Sequence, residues 1–105
     1  MRNALSLAIA ALALAGCASR LEAAKSAYNA GDYPEAKAKL AMLEKDAPGL
    51  PTCRRAEFEL YRGLTLLALG DQQSARSSLE KAKTQPTCFE KEDTARLDLA
   101  LESSK

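Results

Sequence analysis

After position 16 the chain contains no Val and no Ile; its single Ile is Ile9, and Thr is the only β-branched residue that remains. Pleated sheet favours β-branched and aromatic side chains, whereas the Ala, Leu, Lys, Glu and Arg that dominate here lose little freedom in a helix. The composition therefore predicts an all-α protein. His and Trp are absent, which removes the commonest general base and metal ligand near neutral pH. Lys plus Arg is 15 and Asp plus Glu is 14. Arg2 is the only charge in residues 1–16, so beyond them the balance is 15 − 1 = 14 against 14. A neutral chain has no electrostatic reason to seek nucleic acid, and no nucleic-acid partner is expected.

Residues 1–16 form a distinct segment. Met1-Arg2-Asn3 is followed by a run from Ala4 to Ala15 broken only by Ser6, and then by Gly16. A basic start, an apolar stretch and small residues at the end describe a secretory signal peptide. The run is too short for a transmembrane helix, which needs about 20 apolar residues. Leu14-Ala15-Gly16-Cys17 resembles the lipobox of bacterial lipoproteins. The resemblance implies that 1–16 is removed and that Cys17 is linked to diacylglycerol, so that 17–18 is a lipidated anchor. Several acyl chains hold a protein firmly where one does not. Ala18, rather than Asp, follows the cysteine. By analogy with enteric bacteria that implies the outer membrane, with the domain 19–105 facing the periplasm.

Capping signals divide 19–105 into five predicted helices, at roughly 19–30, 33–46, 53–69, 72–84 and 89–103. Ser19 with Glu22, Asp32 with Glu35 and Thr87 with Glu90 read as capping boxes. Thr52 and Asp71 read as N-caps without a returning carboxylate, and Gly31 and Gly70 sit where helices end in a left-handed residue. The chain also matches itself. Ala24, Gly31, Asp32, Ala36, Leu40 and Leu43 align with Gly63, Gly70, Asp71, Ala75, Leu79 and Ala82 at a constant shift of 39. Two helices joined by a tight Gly-Asp turn approach closely only where small residues face each other. Ala24 opposite Ala36, and Gly63 opposite Ala75, are the predicted contacts.

The Gly-Asp-Tyr-x-Glu-Ala turn from Gly31, the Gly-Asp-x-x-x-Ala turn from Gly70, the Leu-Glu-Lys-Ala stretch from Leu79 and Pro48 after the first pair resemble the tetratricopeptide repeat family. The resemblance implies antiparallel helical pairs in a solenoid of about two and a half repeats, the last helix acting as a cap. The family repeat is about 34 residues; the segment Pro48 to Thr52 accounts for the longer spacing. The chain departs from the pattern where Arg20 and Glu59 replace a large aromatic, and where Ala27 and Leu66 replace a mid-helix Tyr.

Pro51-Thr52-Cys53 recurs as Pro86-Thr87-Cys88, thirty-five residues on. Both cysteines thus start helices expected to be neighbours. In an exported protein a structural disulfide is the favoured state of such a pair; separate buried thiols, or a redox or metal role, are the alternatives. Zinc would lack two ligands, and no closely spaced Cys-x-x-Cys is present. A bridge requires the two Cα atoms within about 7 Å.

No nucleophile elbow, phosphate-cradling glycine loop or ligand set occurs, and Glu57 and Glu59 sit two apart on a helix, aimed in different directions. The reading is a non-enzyme without cofactor or metal. The family's concave face implies a partner groove lined by Lys25, Tyr28 and Asn29 from the first pair and by Leu60, Leu64 and Leu67 from the second. A capping helix after Cys88 that covers the leucines would reduce it to Lys25, Tyr28, Asn29 and the rim. With only Ala18 between the anchor and the first helix, the domain reaches only partners close to the membrane. The expected function is an envelope adaptor or assembly subunit binding a protein partner, of unassigned oligomeric state. An accessory or pilot lipoprotein of a secretion or pilus system, and a structural lipoprotein without a specific partner, are the alternatives.

Overall fold

A computed structural model describes residues 19–105. The leader and the anchor at Cys17 and Ala18 lie outside the described residues. The protein is all-helical there, with no strand among the described residues. The helices are α1 (residues 19–29), α2 (Tyr33–Leu43), α3 (Thr52–Ala68), α4 (Gln72–Lys83) and α5 (Lys91–Ser103). Single turns of 3-10 helix, Ala47–Gly49 and Pro86–Cys88, precede α3 and α5.

The two Gly-Asp turns have the same geometry. Gly31 and Gly70 adopt φ of 80° and 89°, which a residue without Cβ reaches at little cost. The Gly31 N–H donates to Tyr28 O and the Asp32 N–H to Ala27 O; the Gly70 and Asp71 N–H groups donate to Leu67 O and Leu66 O in the same way. These are paired Schellman bonds, which satisfy the last carbonyls of α1 and α3. Each Asp then opens the next helix. The Asp32 carboxylate accepts from the Glu35 N–H at 3.3 Å and that of Asp71 from the Ser74 N–H at 3.2 Å. Both Asp residues share one backbone conformation, φ/ψ of −90°/74° and −91°/77°.

Other capping expectations need correction. Glu35 does not return to Asp32, whose N–H is already given to Ala27; its carboxylate pairs with Lys39 at 3.3 Å. Glu22 faces Lys25 and Arg54. Thr52 lies inside α3, and Pro51 precedes the helix without a side-chain cap bond. Thr87 and Glu90 form no capping box. Pro86 opens a 3-10 turn closed by the Cys88 N–H on Gln85 O, and α5 starts at Lys91, two residues later than predicted.

One apolar cluster draws on every helix: Leu21 and Ala24 of α1, Leu40 and Leu43 of α2, Phe58, Leu60, Tyr61 and Leu64 of α3, Leu79 and Ala82 of α4, Leu97 and Ala100 of α5. α3 is the axis. It buries Ala56, Phe58, Leu60, Tyr61, Gly63, Leu64, Thr65 and Leu66, positions that run around most of the helix, as expected when neighbours pack on several sides. Its most intimate neighbour is α4. A Cβ built on Gly63 would lie 2.5 Å from Leu79 Cγ and 3.1 Å from the Ala75 carbonyl oxygen. Ala24, Ala36 and Ala75 are all completely buried. The segment Pro48 to Thr52, read as the cause of the longer spacing, is no idle insertion: its Leu50 packs against the core, which Ala47 just before it joins.

The Sγ atoms of Cys53 and Cys88 lie at bonding distance, and their Cα atoms are 5.1 Å apart, well inside the range a disulfide requires. The pair ties the start of α3 to the turn that leads into α5.

Two outcomes follow. Gly63→Ala is expected to lower stability by about 1–3 kcal/mol because the methyl meets Leu79 and the Ala75 backbone, although Ala is better than Gly in a helix by about 1 kcal/mol. Urea unfolding checks it, and a stabilised variant would contradict the contact. Cys53→Ser is expected to cost about 2–4 kcal/mol, read in the same assay without reductant, and wild type treated with reductant should fall to the same level.

Candidate partner-binding groove

α1, α3 and α5 border an open cleft of about 450 Å³, lined by Glu22, Lys25, Ser26, Asn29, Tyr61, Glu92, Asp93 and Arg96. Local structure accounts for the placement. Lys25 and Asn29 are one helical turn apart on α1, and Glu92, Asp93 and Arg96 occupy successive turns at the start of α5. Tyr61 rises between them from α3, its residue only 3% exposed.

Lys25 is committed to the fold. Its Nζ lies 3.3 Å from Glu22 and 3.7 Å from Glu57, while Arg54 lies 3.1 Å and 3.2 Å from the same two carboxylates. The four side chains form a closed ring of alternating charge that fastens α1 to α3. Burial of Lys25 disfavours its charged form, but Glu57 and Glu22 outweigh that and its pKa is raised. The ammonium also lies 5.5 Å from the centre of the Tyr61 ring, within cation–π range.

The aromatic residues continue from that contact. The Tyr28 ring meets Tyr61 edge-on with centroids 5.6 Å apart, and Tyr33 lies 5.5 Å from Tyr28. Burial raises the pKa of Tyr61, with Asp93 adding to the shift and Lys25 and Arg96 opposing it. Burial likewise raises Tyr28, helped by Tyr33 and opposed by Arg96. Arg96 reaches across from α5 with one nitrogen 3.4 Å from Asn29 Oδ1 and 3.5 Å from the Tyr61 hydroxyl. These are long for hydrogen bonds. Arg96 has no carboxylate within ion-pair distance among the described residues, so most of its donors remain open to a ligand.

The groove read from the sequence thus separates into two parts. Lys25 and Asn29 border the cleft, whereas Tyr28 does not line it and packs edge-on against Tyr61. Leu60 and Leu64 do not line it; they are buried in the core, and Leu67 is half-buried against that core. Leu97 and Ala100 of α5 belong to the same buried cluster. Tyr61, Asp93 and Arg96 were missed. A usable signal was present: a last helix expected to cap the stack brings its own polar residues to the face beside α3.

Glu57 and Glu59 part company as expected. Glu57 belongs to the charge ring, whereas Glu59 borders a separate recess with Thr52, Arg55, Lys81 and Gln85. Among the described residues no group of three or more His, Cys, Asp or Glu side chains is placed to hold a metal, and no helix is long and apolar enough to cross a membrane. Compared with protein families, with curated proteins and with solved structures, the chain matches none of them.

A raised folded-state pKa means that the folded protein holds the phenolic proton more tightly than the unfolded chain, so this stability is full below the unfolded pKa and lost as pH rises through the folded one. Absorbance titration at 295 nm should show tyrosines ionising above the ordinary tyrosine range. Tyr28→Phe and Tyr61→Phe should each remove part of that late phase, and a titration with no late phase would contradict the burial of both rings.

Proposed function

We propose that this chain is an outer-membrane lipoprotein whose tetratricopeptide-like domain serves as an adaptor or assembly subunit, docking a protein partner of the bacterial cell envelope on its periplasmic side. It acts by binding, without cofactor or covalent chemistry. The observation that carries the reading is the repeated helix-Gly-Asp-helix unit. Two hairpins share the same turn hydrogen bonds at a 39-residue shift, and the first helix of each borders one cleft together with α5. Stacked helical pairs of this kind present such a face to peptides or partner helices.

The lipobox-like Leu14-Ala15-Gly16-Cys17 supports the membrane anchor. With helix already formed at residue 19, a lipid on Cys17 leaves almost no tether, so the partner sits at the bilayer surface. Suitable partners are an outer-membrane pore, its assembly machinery or another lipoprotein.

The test is a photo-crosslinking residue at Asn29 in the full-length protein, activated in intact envelopes and compared with the same probe at the exposed Glu80. Asn29 is expected to capture one discrete partner that Glu80 does not, and Cys17→Ser is expected to abolish both lipid labelling and that product. Identical products from both positions, or recovery of the wild-type protein in the aqueous phase after detergent partitioning, would overturn the reading.

A further inference from the structure

α5 is held differently from the helices it packs on. Of its thirteen residues only Leu97 and Ala100 are buried, against eight of seventeen in α3; Phe89 and Leu101 are half-buried. Its polar ties are loose. Arg96 reaches Asn29 and Tyr61 at 3.4 and 3.5 Å, and Asp98 pairs with Lys83 at 3.3 Å with both side chains more than half exposed. The covalent tie ends before the helix begins, because Cys88 is bonded to Cys53 while Phe89 and Glu90 follow in extended conformation and Glu90 supplies no side-chain cap. The disulfide therefore fixes the root of α5 and leaves everything after it to non-covalent contacts. The cluster α5 joins contains Leu60 and Leu64, with Leu67 half-buried at its margin.

We propose that α5 is a displaceable cover, which occupies in the free protein the seat that a partner's helix takes. This rests on the reading of the chain as a partner-binding adaptor and deepens it. Turning about Phe89–Glu90, with the root still bonded to α3, withdraws Leu97 and Ala100 from the cluster that holds Leu60 and Leu64 and opens the apolar seat they leave. The chemistry of the seat states its occupant: an amphipathic helix with apolar residues spaced as Leu97, Ala100 and Leu101 are, and an acid beside the first of them, as Asp98 is, to meet Lys83. The cover weakens the partner's apparent affinity in proportion to the fraction of time the seat is open.

Amide hydrogen exchange on the full-length, disulfide-bonded protein tests the opening. Residues 95–103 are expected to exchange at least about a hundredfold faster than residues 60–66, by a local opening that leaves α3 intact. The probe for the seat is a labelled synthetic peptide with the sequence of residues 89–105. It is expected to bind the full-length protein saturably, and about tenfold more tightly to Leu97→Ala, whose own cover is loosened. Equal protection of α5 and α3 would overturn the proposal. So would failure of the peptide to bind Leu97→Ala whose α3 protection is native, or dimerisation of the protein without peptide, which would give the seat to a second copy's α5. Saturable peptide binding without any envelope partner at Asn29 would sink the adaptor reading and leave the cover standing. A captured partner with α5 fully protected would do the reverse.

Discussion

The absence of a side chain at Gly63 is the constraint on which the rest of this fold depends. A methyl there would occupy the space of Leu79 and press on the Ala75 carbonyl, so the separation of α3 and α4 is set by the smallest residue available. Close approach lets Leu79 reach complete burial across the contact and leaves the other sides of α3 free for further neighbours. α3 can then act as an axis, with the charge ring holding α1 against it and the cysteine pair holding the root of α5. The cleft exists because both flanking helices are referred to the same central one. Helix packing and the candidate site are thus two consequences of one contact.

A core of this size is thin. Phe58 is the one completely buried Phe or Tyr, and much of the remaining interior is Leu and Ala. Domains this small bury a low fraction of their surface and commonly need a covalent staple. The pinning is distributed along α3: the Schellman turn closes its C-terminal end at Gly70, and Cys53 holds its N-terminal end. A helix restrained at both ends tolerates weak packing by a terminal neighbour, and this is the situation of α5.

What the sequence disclosed was local. Helix content followed from the lack of β-branched residues, the turns from Gly31-Asp32 and Gly70-Asp71, and the cysteine pair from two identical tripeptides. These features are decided within a few residues of chain, where propensity and backbone sterics dominate. The misreadings arose where a distant partner competed. Glu35 lost its capping role because the Schellman bond had already claimed the Asp32 N–H. The start of α5 moved because Pro86 and the pairing of Cys88 hold residues 86–88 in a separate turn. Leu60 and Leu64 were readable equally as groove or as core, since helical spacing says which face they share but not what covers it. Arg96, sixty-seven positions from Asn29, left no local trace of their contact.

The charge ring also decides what the cleft can recognise. Lys25, the residue most easily taken as a ligand anchor, has both neighbouring carboxylates and the Tyr61 ring already in place. Recruiting it would break its contacts to both carboxylates of the ring, and its raised pKa keeps it charged and paired. In the proposed adaptor role, recognition falls to the α5 side, where Arg96 makes only long contacts with neutral acceptors and Glu92 and Asp93 stand in the first turn of the helix. One cation and two carboxylates within two turns favour a partner that brings both signs in the matching order. A uniformly charged one meets repulsion at one edge or the other. Such patterning contributes more to selecting the partner than to the strength of binding.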